Sequence, residues 1–258
     1  MANNDLASKL YKFSFWFFIA LTAIYIFLAI WVFNSTKTIV VLATTLADST
    51  SAGVNVTDGP MVPQTPEIEK SYLDDAVLVG DLVPTGFLEY KFVDKSRIVS
   101  NKNMNLVSIA TKKYSFSAGL MTVAEAIKAK KAKNIYLSMG TNDIPYYSVE
   151  DILSDYTTFL REVKKQNSKA NIFVMGITPV DEVKHAGEKN YNNINITKLN
   201  DKLQKLALDN DIYYLEIGKD LVNTSGNLAK KYSTPSGYNL SYAAYPVILK
   251  HILTRTVK

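Results

Sequence analysis

An uncharged apolar segment near the N-terminus is the feature that most constrains this chain. Residues Phe13 to Phe33 read FSFWFFIALTAIYIFLAIWVF and contain no charged side chain. A helix needs about 20 apolar residues to cross the roughly 30 Å hydrocarbon core of a bilayer, and this segment has that length. Trp16 and Trp31 lie near its opposite ends, where aromatic side chains favour the membrane interfaces. We therefore predict a transmembrane helix over residues 13–33.

Lysines beside the segment indicate its orientation. Two lysines precede it closely and only Lys37 follows it closely. Because positive flanks stay in the cytoplasm, residues 1–12 are predicted to be cytoplasmic and the rest of the chain to lie outside a cell membrane that it crosses once. The competing interpretation is a cleaved signal peptide, whose apolar region is about 7–15 residues. The segment is longer than that, although a cut near Ala43 or Ala47 stays open.

The region after the segment changes in composition. Residues 34–69 are rich in Ser, Thr and Gly and include Pro60, Pro63 and Pro66, which predicts an extracytoplasmic linker. Residues 70–258 have the length of one domain with a full hydrophobic core. The chain has no cysteine, which excludes disulfides, thiolate metal sites and cysteine nucleophiles.

Charge excludes some classes of partner. The net charge of +5 comes from scattered lysines, which we interpret as solvated helix faces. Basic and aromatic residues do not interleave as a nucleic-acid surface requires, so no nucleic-acid partner is predicted. We predict no cofactor and no metal ion.

Short apolar runs alternate with amphipathic stretches beyond Lys70. Such alternation of strands and helices predicts an α/β fold with about five parallel strands between helical layers, a flavodoxin-like α/β/α sandwich. The predicted strands are Ala76–Gly80, Leu106–Ala110, Asn134–Met139, Asn171–Ile177 and Ile212–Ile217. The predicted helices include Leu120–Lys131, one that Ser148 begins, one that contains Leu199 and Leu203, and Ser241–Thr254.

Four motifs lie in order along this domain. They are Val79-Gly80-Asp81 at the end of the first strand, Gly119 before a helix, Gly140-Thr141-Asn142-Asp143, and SGYNLSYAAYPVIL, which starts at Ser236. In this order they resemble the blocks of the SGNH or GDSL esterases and acyl-esterases. The resemblance covers residues 72–253 and implies an SGNH-hydrolase fold, with a site beyond the carboxyl ends of the strands.

The resemblance also implies a catalytic machinery. In that family a serine nucleophile follows the first strand, and a histidine accepts its proton while an aspartate three residues earlier orients the histidine. This chain has Leu82 at the nucleophile position, Ser236 at the aspartate position and Asn239 at the histidine position. The oxyanion-side residues Gly119 and Asn142 are kept, so they are candidates for an oxyanion hole or a ligand groove.

Other residues could substitute only with difficulty. His251 falls inside the last helix, where we expect packing or solvent contact, and His185 falls in a polar loop, where a solvated role is expected. Thr85 is a conceivable nucleophile without an identifiable base. Asp81 and Asp143 are further groove candidates that could converge on a cation, but we expect them to brace loops, since a hard cation needs more oxygen ligands.

Two hypotheses follow for the function. The first is a membrane-anchored pseudoenzyme whose groove binds an envelope polysaccharide, with Tyr146, Tyr147 and Tyr238 as sugar contacts, or which binds a membrane acyltransferase. The second is an active esterase or O-acetyl transfer enzyme that acts on envelope carbohydrate through a displaced triad. Substitution at all three reactive positions favours the first hypothesis.

Overall fold

The structure, a computed structural model, describes residues 61–116 and 118–257. Its centre is a parallel sheet of five strands in the order β2-β1-β5-β6-β7. This order is that of the flavodoxin-like sandwich, and a separate antiparallel hairpin, β3-β4, lies outside the sheet. The strands are β1 Ala76–Gly80, β2 Ile98–Ser100, β3 Tyr114–Phe116, β4 Gly119–Met121, β5 Asn134–Ser138, β6 Asn171–Met175 and β7 Tyr213–Leu215.

In residues 61–116 and 118–257, five α-helices cover the two faces of the sheet. They are α1 Leu82–Glu89, α2 Val123–Lys130, α3 Val149–Gln166, α4 Asn193–Asp209 and α5 Ala244–Leu253. Ser148 caps α3 by accepting a hydrogen bond from the backbone N–H of Asp151, as its position before an apolar-periodic stretch predicted. The α/β fold, the five-stranded parallel sheet and the helical layers are therefore confirmed.

Side chains alternate between the two faces along each strand, which divides the core in two. Val77 and Val79 pack with α2, α3 and α4 on one face. Ala76 and Leu78 pack with α1 and α5 on the other face. All five residues of β1 are buried, as expected for a central parallel strand that is covered on both sides.

The predicted second strand was misplaced. Leu106–Ala110 is not a strand: Leu106–Ser108 is a short 3-10 helix capped by the side chain of Asn105. The backbone N–H of Leu106 donates to the carboxylate of Asp143, so it is not available to a sheet. The true second strand, Ile98–Ser100, is only three residues long and has too little periodicity to be recognised.

The last three predicted strands and the last helix are each shorter than predicted by one to four residues, and two further segments are assigned differently. Residues Gly119–Met121 form β4, and α2 begins only at Val123 because Thr122 and Glu125 make a capping box there. Residues 61–69 are not a free linker. Val62 is buried, and Met61 forms an isolated parallel β-bridge with Tyr214 of β7. Burial of these apolar side chains makes residues 61–69 part of the domain.

The predicted membrane span, Phe13–Phe33, lies outside the described residues, as do the possible cleavage sites. Within residues 61–116 and 118–257, no helix has the length and apolar character needed to cross a membrane.

Candidate active-site cleft

Asp81 organises the edge of the sheet where the site was predicted. It follows β1 and caps α1, and its side chain is fully buried. One carboxylate oxygen accepts from the N–H of Leu82 at 2.7 Å, and the other accepts from the N–H of Gly140 at 3.2 Å and of Asn142 at 3.1 Å. Asp81 thereby ties the end of β1 to the end of β5.

Gly80 makes this close approach of the two strand ends possible. Its φ is +150°, and a Cβ at this position would lie 1.8 Å from the carbonyl oxygen of Ser138 on β5. A side chain there would clash with backbone, so the glycine of the Val-Gly-Asp motif is required by packing.

Asn142 and Asp143 hold the loop that follows β2. The amide nitrogen of Asn142 donates to the carbonyl oxygens of Lys102 at 2.9 Å and Met104 at 2.7 Å. The carboxylate of Asp143 accepts from the N–H of Leu106, at 3.0 and 3.1 Å to its two oxygens. Since an amide nitrogen has two hydrogens, Asn142 has none left to donate to an oxyanion in this conformation.

The two aspartates are unusual carboxylates. Burial raises the pKa of Asp81 to about 6, although the hydrogen bonds from the N–H groups of Asn142, Leu82 and Gly140 oppose that shift. Burial also raises the pKa of Asp143 to about 7, against the hydrogen bond from Leu106 and with a further rise from the charge of Asp81. Both side chains brace loops, as expected. Among the described residues no group of three or more carboxylates and histidines could hold a metal ion.

A cleft of about 250 Å³ opens beside α1, and it contains two of the three replaced positions. Leu82 and Asn239 both line it. Ser236 does not line it: its hydroxyl lies 3.1 Å from that of Thr234. The other lining residues come from α1 and its C-cap, from the loop after β2, and from α5 and the segment before it: Thr85, Gly86, Glu89, Tyr90, Lys102, Asn103, Thr234, Leu240 and Tyr245.

The remaining candidates are placed as follows. Thr85 lines the cleft, but its hydroxyl donates back to the carbonyl oxygen of Asp81 within the first turn of α1. Gly119 does not line the cleft, contrary to its predicted role as an oxyanion or groove residue. It lies in the exposed hairpin strand β4, where a Cβ would meet no atom within 4 Å. Gly119 was selected because it precedes a helix, yet the hairpin separates it from the strand ends.

His185 is buried, whereas a solvated loop position was expected. Its ring packs edge-on against Tyr191 and Tyr238, with centroids 4.8 and 4.3 Å away. Its Nδ1 lies 2.8 Å from Oε1 of Glu188, which also accepts from the hydroxyl of Tyr238. Although partial desolvation opposes them, these hydrogen bonds lower the pKa of Glu188.

The Nε2 atom of His185 is buried and makes no hydrogen bond within the described part of the chain. One sign of this pair is visible in the sequence, namely the three-residue spacing of His185 and Glu188. That sign was too common to single the pair out.

The strand order, the buried Asp81 at the first strand end and the cleft between α1 and α5 define an SGNH-type α/β domain. A sequence model of the GDSL-like lipase/acylhydrolase family matches residues 47–252. The chain therefore belongs to the GDSL-like lipase/acylhydrolase family. This match begins before Lys70, in agreement with the packing of residues 61–69. A search of curated proteins finds no match.

Solved structures share the fold at low sequence identity. A platelet activating factor from Streptococcus pneumonia is 22% identical, with a TM-score of 0.54, over 69% of this chain and 81% of that one. An acylhydrolase from Bacteroides fragilis is 14% identical, with a TM-score of 0.51, over 72% and 86% of the two chains. A GDSL-like lipase from Bacteroides thetaiotaomicron is 12% identical, with a TM-score of 0.52, over 70% and 86%. These similarities extend to the fold alone.

Proposed function

We propose that this chain is a membrane-anchored, extracytoplasmic GDSL-like protein that binds an envelope glycan without hydrolysing it. The supporting observation is that Leu82 and Asn239 face the same cleft while Asn142 donates both amide hydrogens to backbone. A leucine has no hydroxyl, an amide is not a base near neutral pH, and an engaged donor cannot stabilise an oxyanion.

Exposed tyrosines support the binding part of the proposal. Tyr146 is 78% exposed and Tyr238 is 48% exposed, and Tyr238 stacks on the buried Tyr191 with ring planes 11° apart. A tyrosine held in this way offers a flat apolar face and a hydroxyl at low entropy cost, which suits a sugar ring. A membrane acyltransferase is the partner that we propose for such a protein at the outer face of the membrane.

The catalytic part is tested with the full chain purified in a neutral detergent. Hydrolysis of p-nitrophenyl acetate should not exceed the buffer rate, and a fluorophosphonate probe should label no Ser or Thr. Leu82→Ser alone should stay inactive because no base would activate the new hydroxyl. Stoichiometric labelling of the natural chain, or turnover by Leu82→Ser, would contradict the inactive assignment.

The binding part is tested by titration with N-acetylglucosamine oligosaccharides, followed by tyrosine fluorescence. Tyr238→Ala should weaken binding about 10-fold, as expected for the loss of one aromatic contact. Tyr242→Ala is the control, because Tyr242 is also exposed but packs against Tyr90 and Phe92. Equal affinities of the two variants would argue against a glycan site at Tyr238.

A second candidate function, hydrolysis through a displaced base, has one observation in its favour. His185 is buried and held by Glu188, and a carboxylate orients a catalytic histidine in the same way. Against it, no described hydroxyl bonds to Nε2 of His185. If the natural chain did hydrolyse the acetyl ester, His185→Gln should abolish that activity while Asn239→Ala should not.

A further inference from the structure

A second cavity, of about 500 Å³, lies away from the cleft beside the C-terminal end of α5. It shares no lining residue with the cleft. Three cations line it, Lys219, Lys250 and Arg255, with Asp220 as the single carboxylate and His251 as a further titratable group. The lining therefore carries more positive than negative charge.

Arg255 is the unusual member of this lining. It is 8% exposed, and arginine is rarely buried without a carboxylate partner. Its Nη1 donates to Nδ1 of His251 at 2.9 Å and lies 3.3 Å from the hydroxyl of Thr254. These acceptors are neutral, and no carboxylate of residues 61–116 or 118–257 forms a salt bridge with Arg255. In the described part of the protein its charge is therefore not paired in a salt bridge, although Asp220 lines the same cavity.

His251 contributes no negative charge to the cavity, so it does not cancel the charge of Arg255. Nδ1 accepts the hydrogen bond from Arg255, so in the neutral ring Nε2 carries the hydrogen. Nε2 lies 3.0 Å from Oδ2 of Asp220 but is not aligned for a hydrogen bond. Burial and the charge of Arg255 lower the pKa of His251, against the opposing effect of Asp220. The imidazole therefore orients Arg255, and Asp220 faces His251.

The positions of the lysines could have a simpler cause. Cations in the last turn of a helix interact favourably with the helix dipole, and Lys250 lies in the last turn of α5. That effect does not account for Lys219, which belongs to the loop after β7. It also does not require the guanidinium to be buried, since the dipole effect needs no desolvation.

We infer that this cavity binds a phosphate ester. A guanidinium and two ammonium groups around one space match a phosphoryl group, whose oxygens accept several charge-assisted hydrogen bonds at once. The cavity is larger than a phosphate ion, and Tyr232, Pro246 and Val247 give it an apolar wall. The ligand is therefore an organic phosphate, either a lipid headgroup or a soluble or polymer-borne ester.

Calorimetric titration of the full chain in a neutral detergent, with glycerol 3-phosphate as the probe, tests this inference. The natural chain should bind the probe saturably, and acetate at equal concentration should not displace it. The double variant Lys219→Gln/Lys250→Gln changes only exposed side chains and should lose at least about 10-fold in affinity, as expected when charge-assisted contacts are removed. Arg255→Gln should show the same loss.

Two controls isolate the cavity. Arg161→Gln and Lys205→Gln remove exposed cations of α3 and α4 and should bind the probe like the natural chain. Leu82→Ser should also bind normally, so this inference can fail independently of the function proposed for the cleft. The inference is overturned if the natural chain does not bind the probe, if acetate competes equally, or if the cavity variants bind like the controls.

A further arm identifies the source of the phosphate. Mixed micelles containing phosphatidylglycerol are titrated at the same phosphate concentration as glycerol 3-phosphate. Affinity at least about 10-fold higher for the micelles, lost in the double variant, assigns a lipid headgroup. Equal affinities assign a soluble or polymer-borne ester.

Discussion

The strand-end network behind the cleft and the basic cavity both contain buried polar groups, but they differ in how those groups are satisfied. In the network behind the cleft, Asp81, Asn142 and Asp143 are hydrogen-bonded to backbone of neighbouring loops. In the cavity, Arg255 is buried with only neutral partners among the described residues. A satisfied network stabilises a fold, whereas a buried charge without a salt-bridge partner keeps an uncompensated desolvation cost, which a bound anion would reduce.

This difference changes the interpretation of the motif residues at the strand ends, which can be explained by structure alone. Gly80, Asp81 and Asn142 match the family pattern, yet each has a structural task that does not depend on catalysis. Their presence therefore indicates that the strand ends have the structure typical of the family. It is not evidence for hydrolysis. The predictions below separate stability from activity in this region.

Removal of the Asp81 carboxylate should have the largest effect. Asp81→Ala leaves three backbone N–H groups without their acceptor, each at a cost of about 1–3 kcal/mol when buried. We expect a loss of at least about 3 kcal/mol and a fall in Tm of about 6–12 °C, measured by thermal unfolding. Asn239→Ala, an exposed change in the same cleft, should stay within about 0.5 kcal/mol. Similar Tm values for the two variants would mean that the network is not structural.

The pH dependence of stability should have opposite signs in the two regions. The pKa values of Asp81 and Asp143 are raised to about 6 and about 7, so the folded state binds their protons more tightly than the unfolded state does. Their contribution is complete below pH 3.8 and is lost as the pH rises through 6 and 7. The free energy of unfolding should fall by about 4 kcal/mol between pH 5 and 8, about one third of it from Asp81 and two thirds from Asp143.

Two variants identify the groups that cause this pH dependence of the free energy of unfolding. Asp143→Asn can still accept from Leu106 and should flatten the fall measured by urea unfolding across this pH range. His251 has a lowered pKa, so its contribution is present above pH 6.5 and is lost as the pH falls through its folded value. His251→Gln should therefore steepen the fall. A slope that neither variant changes would show that other groups control it.

Loss of the Asn142 amide should have a smaller effect on stability. Asn142→Ala removes the donors to the carbonyl oxygens of Lys102 and Met104, and two such bonds contribute about 1–2 kcal/mol together. Faster amide hydrogen exchange should appear in residues 102–106, because this side chain holds their loop. Asn103→Ala, in the same loop, is the control. If the two variants exchange equally, Asn142 does not hold the loop.

The fold was largely predictable from sequence because its long elements carry strong periodicity. Ala76–Gly80 matched the prediction residue for residue, since a buried central strand is a continuous apolar run. The prediction of β2 failed because Ile98–Ser100 is short. An apolar segment that forms a 3-10 turn was predicted as the strand instead. The assignment of residues 61–69 to a linker was wrong because it followed their prolines, whereas Val62 packs into the core.

The site was predictable only where a motif fixes a strand end. Asp81, Asn142 and Asp143 follow strands directly, so their convergence could be expected. Lys102 and Asn103 reach the cleft through the loop after the missed strand. The burial of the His185 ring against Tyr238, and the assembly of Lys219 and Arg255, depend on tertiary packing between segments that have no common sequence pattern.

Restoration of the family's reactive residues should have the smallest effect, here on the rate of ester hydrolysis. It is also the most direct test of the comparison between the two regions. The triple variant Leu82→Ser, Ser236→Asp and Asn239→His supplies a nucleophile, a base and an acid in the family's order. The base would share the cleft with the new serine, but the Asn142 amide would still donate to Lys102 and Met104. One absent oxyanion donor costs about 100–1000-fold in rate, so turnover of p-nitrophenyl acetate should stay below about 0.1 s⁻¹, against about 10 s⁻¹ for a typical enzyme. Turnover near 1 s⁻¹, which is ordinary for an enzyme, would show that the loop after β2 releases Asn142 and that three side chains alone separate this protein from an esterase.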